Sequence, residues 1–324
     1  MTKVNCIYMA RPPYGGWVTF TAHLCLKYDF PLFKIGNKTE ASKEGVPKMR
    51  EFGYGVQYQN RAIDDLPAGK ILVTAIDKTY YEYLDKLPDG TAIVIHDPTE
   101  VTGKGVEPVL RNLKRFRVVT IRESVKTFLQ KQLGIKSRFI LHPFYEYPFQ
   151  KAARPTKAVS MSRVDFDKHT DIIIKANDLL GPAKAVDIHG AINRQYVFFK
   201  LKDMGFSKYY KGGFGKSFEE LGAILKDAKY VVDMSVIKHD GGGSQYTFLE
   251  AMYEGCALVL NSRWIEGQRT DYVDGKNCYI VSTAEELATL LRRGGSTEEV
   301  LRGARKLLRP HLEVDWRKEL ALAR

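Results

Sequence analysis

The amino-acid sequence predicts an α/β protein of two Rossmann-like, doubly wound domains that face each other across a cleft. The chain has 324 residues, too many for one ordinary core and suited to two domains of roughly 150 residues each. Short β-rich apolar runs alternate with longer helical patterns, which is typical of parallel sheets covered by helices. This alternation restarts after a segment rich in proline and aromatic residues at 143–156, which predicts the division into two domains.

The first block of alternation predicts a domain over residues 1–148. Its candidate strands are the apolar runs at 4–10, 70–76, 91–96, 116–121 and 137–142. Helical patterns occur in WVTFTAHLCLKY and in ESVKTFLQKQLG. Ligands of doubly wound sheets bind outside the carboxyl ends of the strands, so we expect the functional residues in the loops that follow the strands.

The second block predicts a domain over residues 155–304. Its candidate strands are the runs at 158–163, 185–190, 208–212, 229–235, 257–261 and 277–281. Its helical patterns occupy 170–180, 194–204, 217–227, 245–254 and 284–293. Residues 305–324 are expected to form a helix that packs back on the first domain.

Composition and charge narrow the class of protein. Apolar runs fall well short of the ~20 residues that span a bilayer and the N-terminus has no secretory pattern, so we expect a cytoplasmic protein without a membrane partner. The four cysteines have no metal-ligand spacing, which predicts reduced core thiols and no metal site. The net charge of +12 and the pI near 9.3 favour a polyanionic partner: nucleic acid, an anionic membrane or a phosphate-rich ligand.

The basic excess is concentrated between Val101 and Arg138, where ten lysines and arginines stand against two glutamates. Such a run is either a solvated helical face or a surface that meets a polyanion, and the scarcity of acidic partners in the run leaves both interpretations open. The candidate DNA contacts within it are Lys104, Arg111, Lys114, Arg115, Arg117 and Arg122.

Cationic and glycine-rich loops in the second half suit a phosphorylated ligand. Arg163 and Lys168 follow a predicted strand, where two cations can neutralise a diphosphate without a metal. Three glycines at 241–243 precede a helix whose first N–H groups and dipole favour phosphate. Glu250, two turns into that helix, is placed to accept hydrogen bonds from ribose hydroxyls. Each feature alone is equally explained by an ordinary turn or a surface charge.

Three segments of the second half, taken together in their order along the chain, are more specific than any one of them. They are SRVDFDK, YTFLEAMYEGCALVL and YVDGKNCYIVSTAEELATLL. Together they resemble the nucleotide-sugar domain of retaining glycosyltransferases with the two-Rossmann (GT-B) architecture. That family usually carries two glutamates, the second of which matches Glu250, whereas the position of the first is Gly242. The role of the first glutamate is therefore absent, or passes to Asp240 or to backbone amides.

A narrower resemblance covers most of the chain. The segments that carry it are IYMARPPYGGWVT, the HD of IVIHDPTE, SRVDFDK, GAINRQYVFFKLKDMGFSKYYKG and SQYTFLEAMYEGCALVL. In this order they are similar to the T-even phage DNA α-glucosyltransferases, which decorate 5-hydroxymethylcytosine in duplex DNA. The linker and the C-terminal tail of this chain differ from that family, so the resemblance says more about the fold than about the acceptor.

The resemblance implies roles for individual residues. Arg163 and Lys168 would hold the diphosphate and assist its departure, and Glu250 would hold the ribose. His96 and Asp97 would face the transferred sugar, with Asp97 as the orienting carboxylate. The acceptor proton would pass to one of these two residues or to the departing phosphate. The other implied UDP-sugar contacts are Gly15, Gly16, Gly190, Ile192, Asn193, Gly242, Gly243, Ser244, Gln245, Tyr246 and Thr247.

The implied function is transfer of glucose, or of a pentose such as arabinose, from a UDP-sugar to the hydroxymethyl group of 5-hydroxymethylcytosine in double-stranded DNA, with retention of anomeric configuration. The resemblance implies no metal and no cofactor besides the donor, and we expect a monomer in the cytoplasm of the infected host. Two alternatives stay open. One is a GT-B glycosyltransferase with a lipid-linked or polysaccharide acceptor. The other is a non-catalytic DNA-binding protein of the same fold, which the missing first glutamate favours.

Overall fold

The chain divides into two compact units. Unit 1 comprises Met1–Glu146 and His311–Arg324, and unit 2 comprises Tyr147–Pro310. Each unit contains one sheet, which confirms the predicted α/β class with two largely parallel sheets. The structure, a computed structural model, describes residues 3–11, 15–35, 49–153, 155–193, 195–236, 243–266, 270–294 and 297–322.

The core of unit 1 is an eight-stranded sheet. Its strands are β1 (Val4–Met9), β2 (Leu32–Ile35), β3 (Met49–Gly53), β4 (Val56–Arg61), β5 (Lys70–Ile76), β6 (Ala92–Ile95), β7 (Arg117–Thr120) and β8 (Arg138–Phe139). They are arranged in the order β3-β4-β2-β1-β5-β6-β7-β8, and β3 runs antiparallel to β4 whereas the other pairs are parallel. All six residues of β1 are buried, as expected for a central strand that is covered on both faces.

The sequence predicts five of these eight strands and misses β2, β3 and β4. Most residues of the β3–β4 hairpin are exposed or half-buried, so the hairpin presents no apolar run. Its turn places Tyr54 and Gly55 at φ values of 56° and 76°, in the left-handed region. The run at 137–142 forms a strand only over Arg138–Phe139, at the edge of the sheet.

Helices cover both sheets. The α-helices of the described chain are α1 (Gly16–Tyr28), α2 (Glu107–Leu113), α3 (Glu123–Leu133), α4 (Thr170–Leu180), α5 (Gln195–Lys202), α6 (Phe218–Leu225), α7 (Tyr246–Tyr253), α8 (Ser262–Ile265), α9 (Ala284–Arg293), α10 (Glu298–Glu313) and α11 (Trp316–Leu322). Short 3-10 helices include Lys78–Lys86 and Pro98–Glu100 in unit 1. In the part of the chain that the structure describes, none of these helices combines the length and the apolarity needed to cross a bilayer.

The C-terminal segment differs from the single helix predicted over 305–324. The chain breaks between α10 and α11, where Asp315 Oδ1 accepts a hydrogen bond of 3.0 Å from the Arg317 amide and thereby starts a new helix. Trp316 is completely buried in unit 1: its Nε1 donates to the Leu141 carbonyl at 2.9 Å, and its ring packs edge-on against Phe20. Residues 311–322 therefore belong to unit 1, and Trp316 is part of its core.

The core of unit 2 is a six-stranded sheet. Its strands are β9 (Lys157–Ser160), β10 (Val186–His189), β11 (Tyr210–Gly212), β12 (Ala228–Asp233), β13 (Ala257–Asn261) and β14 (Tyr279–Val281). The order is β11-β10-β9-β12-β13-β14 and the pairs are parallel, so the strands predicted for this half are confirmed. The segment before β9 belongs to this unit, because Lys151 Nζ donates to the carbonyls of Leu225 and Ala228 at 2.9 and 2.7 Å.

Parallel strands bring the loops that follow them to one edge of each sheet. We call the carboxyl edge of unit 1 the loops after β1, β5, β6 and β7, and the carboxyl edge of unit 2 the loops after β9 to β13. The amino edge is the opposite side. Ligands of doubly wound sheets bind at carboxyl edges, so the two carboxyl edges are the places to look for functional residues.

Candidate functional site

Two cations mark the carboxyl edge of unit 2. The side chain of Arg163 is 52% exposed, with Nη2 at 3.0 Å from Asp167 Oδ2 and Nε at 3.6 Å from Asp165 Oδ2. Lys168 is buried, and its Nζ donates to Ser235 Oγ at 2.9 Å. Both lie just before α4, whose N-terminal end adds a partial positive charge. The sequence predicted the two cations but not the carboxylates that hold Arg163.

A buried carboxylate joins the loops around Lys168. Asp233, at the end of β12, accepts hydrogen bonds from Ser162 Oγ at 2.7 Å and from the Ser235 amide at 2.9 Å. Because Lys168 donates to that same Ser235, the loops after β9 and β12 form one connected network. Asp233 was missed in the sequence, since an acidic residue at the end of an apolar run gives no sign of the hydroxyls that will pair with it.

The loop after β10 packs directly against the loop of Arg163. Gly190 has a φ of 142°, and a Cβ added there would lie 2.1 Å from the Ser162 carbonyl oxygen. Ile192 pairs with Val164 in an isolated bridge, and Asn193 Nδ2 donates to Asp165 Oδ2 at 2.7 Å. The structure therefore brings Gly190, Ile192 and Asn193 to the same edge as Arg163, and the glycine is required by this close approach of two backbones.

The start of α7 supplies a further part of this edge. Gly242, like Asp240, lies outside the described residues, whereas the predicted Gly243, Ser244, Gln245, Tyr246 and Thr247 lead into and begin the helix. Ser244 Oγ is 3.3 Å from the hydroxyl of Tyr272. Tyr246 is buried, so its side chain supports the helix, whereas Gly243, Ser244, Gln245 and Thr247 remain partly accessible.

Glu250 is a buried carboxyl group within α7, 5% exposed. The pKa of Glu250 is raised to about 8, mainly by burial; the positive charge of Lys216 acts to lower it and the neighbouring Glu254 acts to raise it. Lys216 follows β11, and burial lowers the pKa of its amine. Lys216 was not among the predicted site residues, because a single lysine in a glycine-rich loop has no distinguishing pattern.

The carboxyl edge of unit 1 contains Gly15 and Gly16 at the start of α1. Gly15 has a φ of 66°, which favours glycine, and among the described residues a Cβ added to either glycine would meet open space. The next residue, Trp17, is half-buried, and its Nε1 donates to Glu100 Oε1 at 3.0 Å. The predicted glycine pair thus lies on the surface of this edge.

His96 and Asp97 follow β6 at the same edge but differ in accessibility. His96 is buried, and burial lowers the pKa of its imidazole to about 4, so the ring is neutral near pH 7. Its Nε2 lies 2.8 Å from the Thr74 carbonyl oxygen, which places the ring hydrogen on that nitrogen. The side chain of Asp97 is 36% exposed: one oxygen accepts from the Thr99 amide at 2.9 Å and the other lies 4.0 Å from Arg122 Nη1.

The basic residues predicted to bind DNA are not as poor in acidic partners as the sequence indicates. Arg111 pairs with Asp85, and its Nε donates at 2.9 Å. Arg115 pairs with Asp89 at 2.7 Å and also donates to the carbonyls of Leu84 and Leu87. The expectation of an unpaired basic run is therefore wrong for these two arginines. Their partners come from the 3-10 helix Lys78–Lys86 and the turn after it, which precede the basic run at 101–138 in the sequence.

The six predicted DNA contacts also do not share one surface. Lys114 and Arg115 precede β7 and Arg117 is its first residue, so these three lie at the amino edge, whereas Arg122 follows β7 and lies at the carboxyl edge. At the amino edge, Lys70 and Arg117 line a cavity of about 300 Å³. Lys104, in the exposed loop before α2, belongs with Arg122 because α2 runs from the carboxyl edge back to the amino edge. Strand β7 lies within the basic run, so the basic residues at its start and Arg122 after it are at opposite edges of the sheet.

Within the described residues, there is no group of three or more His, Cys, Asp or Glu side chains placed to hold a metal ion. No family model and no curated protein matches the sequence.

Solved structures of similar fold include a glycosyltransferase and proteins solved with UDP or a UDP-sugar. HepE of Anabaena, solved with UDP-glucose, matches with a TM-score of 0.69 at 14% identity over 99% of this chain and 98% of that chain. A glycosyltransferase of Rickettsia africae matches with a TM-score of 0.60 at 12% identity over 99% and 98%. TarM of S. aureus matches with a TM-score of 0.56 at 15% identity over 78% of this chain and 54% of that chain. At such identities the likeness concerns the fold, and this chain has the two-domain α/β fold of GT-B glycosyltransferases.

Proposed function

We propose that the protein is a glycosyltransferase that takes its sugar from a UDP-sugar bound at the carboxyl edge of unit 2. The observation that carries the proposal is the pair of cations Arg163 and Lys168 at the start of α4. The half-exposed guanidinium of Arg163 can turn from its two carboxylate partners to a pyrophosphate, and Lys168 adds a second positive charge. Cations placed where charge develops on a leaving group supply a large share of catalysis. HepE, solved with UDP-glucose, supports this donor.

Glu250 is the proposed partner of the ribose. An ionised carboxylate can accept hydrogen bonds from two hydroxyl groups at once. Burial favours the neutral form of Glu250, while the Lys216 amine favours the ionised form. We infer that ribose hydroxyls, by donating to the carboxylate, add to the effect of Lys216 and stabilise the ionised form when the donor binds.

The proposed acceptor is 5-hydroxymethylcytosine in double-stranded DNA, which receives glucose or a pentose with retention. The ordered resemblance of five segments and the net charge of +12 support it. The target base must leave the stack, at a cost of a few kcal/mol that contacts to DNA phosphates would offset. Lys104 and Arg122, at the carboxyl edge of unit 1, are the proposed phosphate contacts.

Asp97 is the proposed orienting carboxylate of unit 1. It is more accessible than His96, whose Nε2 is already hydrogen-bonded to a backbone carbonyl. The proton of the acceptor hydroxyl then passes to Asp97 or to the departing phosphate oxygen, while His96 stays neutral and supports the turn.

A glycan acceptor is the second candidate. TarM of S. aureus was solved with α-GlcNAc-glycerol as well as UDP, so a protein of similar fold binds a sugar-containing compound together with the nucleotide. The pairing of Arg111 and Arg115 with aspartates reduces the charge available for DNA, which favours this candidate. It predicts sugar transfer to an oligosaccharide or lipid-linked sugar and none to DNA.

Mass spectrometry of nucleosides tests the proposal. Duplex DNA with hydroxymethylated or unmodified cytosine is incubated with the protein and a panel of UDP-sugars, then digested to nucleosides. The expected result is a glycosylated nucleoside from the hydroxymethylated duplex alone. Transfer only to added oligosaccharides would select the glycan acceptor, and UDP binding without any transfer would indicate a non-catalytic protein.

A further inference from the structure

The carboxyl edge of unit 1 contains a buried carboxyl group to which the proposed function gives no role. Glu100 is 5% exposed and ends the short helix Pro98–Glu100 that follows His96 and Asp97. Burying a carboxyl group is costly unless its oxygens are hydrogen-bonded, so its position calls for a reason.

Both carboxyl oxygens of Glu100 accept hydrogen bonds from residues far apart in the chain. Oε1 accepts from Trp17 Nε1 at 3.0 Å, and Oε2 accepts from the His96 amide at 3.0 Å. Its backbone carbonyl also accepts from the hydroxyl of Tyr81 at 3.0 Å. A single side chain therefore joins the first turn of α1 to the turn that carries His96 and Asp97.

The two elements joined in this way are also in contact through their rings. Phe20, one turn into α1, packs edge-on against the His96 imidazole with ring centroids 4.9 Å apart, and the Trp17 ring lies at 6.3 Å from it. His96 Nε2 is in turn hydrogen-bonded to the Thr74 carbonyl of β5. The glycines before Trp17 restrict the backbone less than other residues would. The hydrogen bond from the Trp17 indole to Glu100 therefore fixes the start of α1.

A carboxyl group is the side chain that suits this place. Two N–H donors point at two oxygens, and both oxygens of a carboxyl group have lone pairs that can accept, whether or not one of them carries a proton. Glutamine offers one acceptor oxygen together with an NH₂ group that would oppose the second donor. The pKa of Glu100 is raised to about 8, mainly by burial and in part by Asp97, whereas the two N–H donors and the charge of Arg122 act to lower it. The groups that surround the carboxyl thus include Asp97, Arg122, His96 and Tyr81.

We propose that Glu100 is a positioning residue whose carboxyl group holds the glycine start of α1 and the His96–Asp97 turn together as one rigid edge. As a role in catalysis, this inference rests on the proposed function: the tie keeps Asp97 and the Gly15–Gly16 backbone in the arrangement that sugar transfer needs. The donor phosphates are held by other residues, in unit 2, so Glu100 should act on turnover rather than on donor affinity.

Steady-state kinetics of three variants and one control variant tests this role. Glu100→Gln is expected to lower kcat about tenfold to a hundredfold, as loss of one hydrogen bond to a buried donor allows, with KM for the UDP-sugar within about threefold of wild type. Trp17→Phe removes the matching N–H and should lower kcat similarly, and the double variant should fall no further than Glu100→Gln alone. Glu107→Gln, at an exposed glutamate in the first turn of α2, is the matched control and should behave as wild type.

Hydrogen–deuterium exchange tests the tie without relying on catalysis. In Glu100→Gln, peptides over residues 15–20 and 95–101 should exchange faster than in wild type, while peptides of unit 2 should not change. Additive kinetic losses in the double variant, a change in KM alone, or unchanged exchange would each overturn the inference. If wild-type protein binds no UDP and transfers no sugar, the proposed function is wrong, and the exchange data alone then decide whether Glu100 holds the edge together.

Discussion

At the carboxyl edge of unit 2 one cation, Arg163, is half-exposed beside buried polar groups, whereas at the carboxyl edge of unit 1 an imidazole and a carboxyl group next to the turn after β6 are buried. Arg163 of unit 2 is half-exposed between two carboxylates, and the buried Lys168 donates a hydrogen bond to the hydroxyl group of Ser235. In unit 1 the imidazole of His96 and the carboxyl group of Glu100 are both buried and hydrogen-bonded to the protein. The first edge suits binding of a mobile anion, and the second suits a fixed geometry around a reacting group.

The largest expected effect comes from removing the exposed cation of unit 2. Arg163→Ala should lower kcat/KM for the UDP-sugar about a hundredfold to a thousandfold, because the charge on the leaving diphosphate loses its partner. DNA affinity in a gel-shift assay should stay near that of wild type. Arg302→Ala, at an exposed arginine of α10 in the same unit, is the matched control. Equal losses of DNA affinity and turnover in Arg163→Ala would contradict the proposal that unit 2 binds the donor and unit 1 binds the DNA.

The close approach of two loops in unit 2 gives the next effect. Gly190→Ala should destabilise the protein by roughly 2 kcal/mol or more, because the added Cβ meets the Ser162 carbonyl and the φ of 142° is strained for alanine. Urea unfolding measures this change. Gly213→Ala is the control, since the nearest atom to its added Cβ lies at an ordinary 3.9 Å. Unfolding midpoints that agree between the two variants would contradict the geometry described for this loop.

The buried carboxyl of Glu250 predicts a pH-dependent effect on stability. Its folded pKa is raised to about 8 from an ordinary 4.5, so the folded protein keeps a proton that the unfolded chain releases. Stability from this group therefore falls as pH rises between these values, by at most about 1.4 kcal/mol per pH unit.

Glu250→Gln removes this titration. Urea unfolding at pH 5.5, 6.5 and 7.5 should show the variant gaining stability relative to wild type as pH rises. Glu299→Gln, at an exposed position of α10, should show a constant difference from wild type. A constant difference for Glu250→Gln as well would mean that the Glu250 carboxyl is ionised at all three pH values. Glu250 would then not be a buried, protonated group of this edge.

The smallest expected effect distinguishes the two edges of unit 1. If DNA lies along the carboxyl edge, Lys104→Ala should reduce the slope of log K against log salt by about one, the change for one lost phosphate contact. Lys114→Ala, at an exposed lysine of the amino edge, should leave the slope unchanged. The reverse result would place DNA at the amino edge, beside the cavity that Arg117 lines.

Much of the fold followed from the sequence, because buried parallel strands are short apolar runs that alternate with helices. The β3–β4 hairpin was missed because its polar, partly exposed strands have no such run. Arg163 and Lys168 could be selected because they follow a predicted strand, and Glu250 because it lies in a helix that follows three glycines. Asp233 and Glu100 could not, because their roles arise from donors that only the folded chain brings within reach. The same holds for Asp85 and Asp89, whose pairing with arginines changes the meaning of the basic run.

The membership of residues 311–322 in unit 1 has a consequence for synthesis of the protein on the ribosome. Tyr28 and Trp316, joined by a hydrogen bond, are 288 positions apart, whereas unit 2 is one continuous segment that emerges in between. Unit 2 can thus fold while the first 146 residues still wait for the tryptophan that fills their core. A nascent chain interrupted before residue 311 would expose an incomplete apolar interior, which makes late translation the vulnerable stage for aggregation.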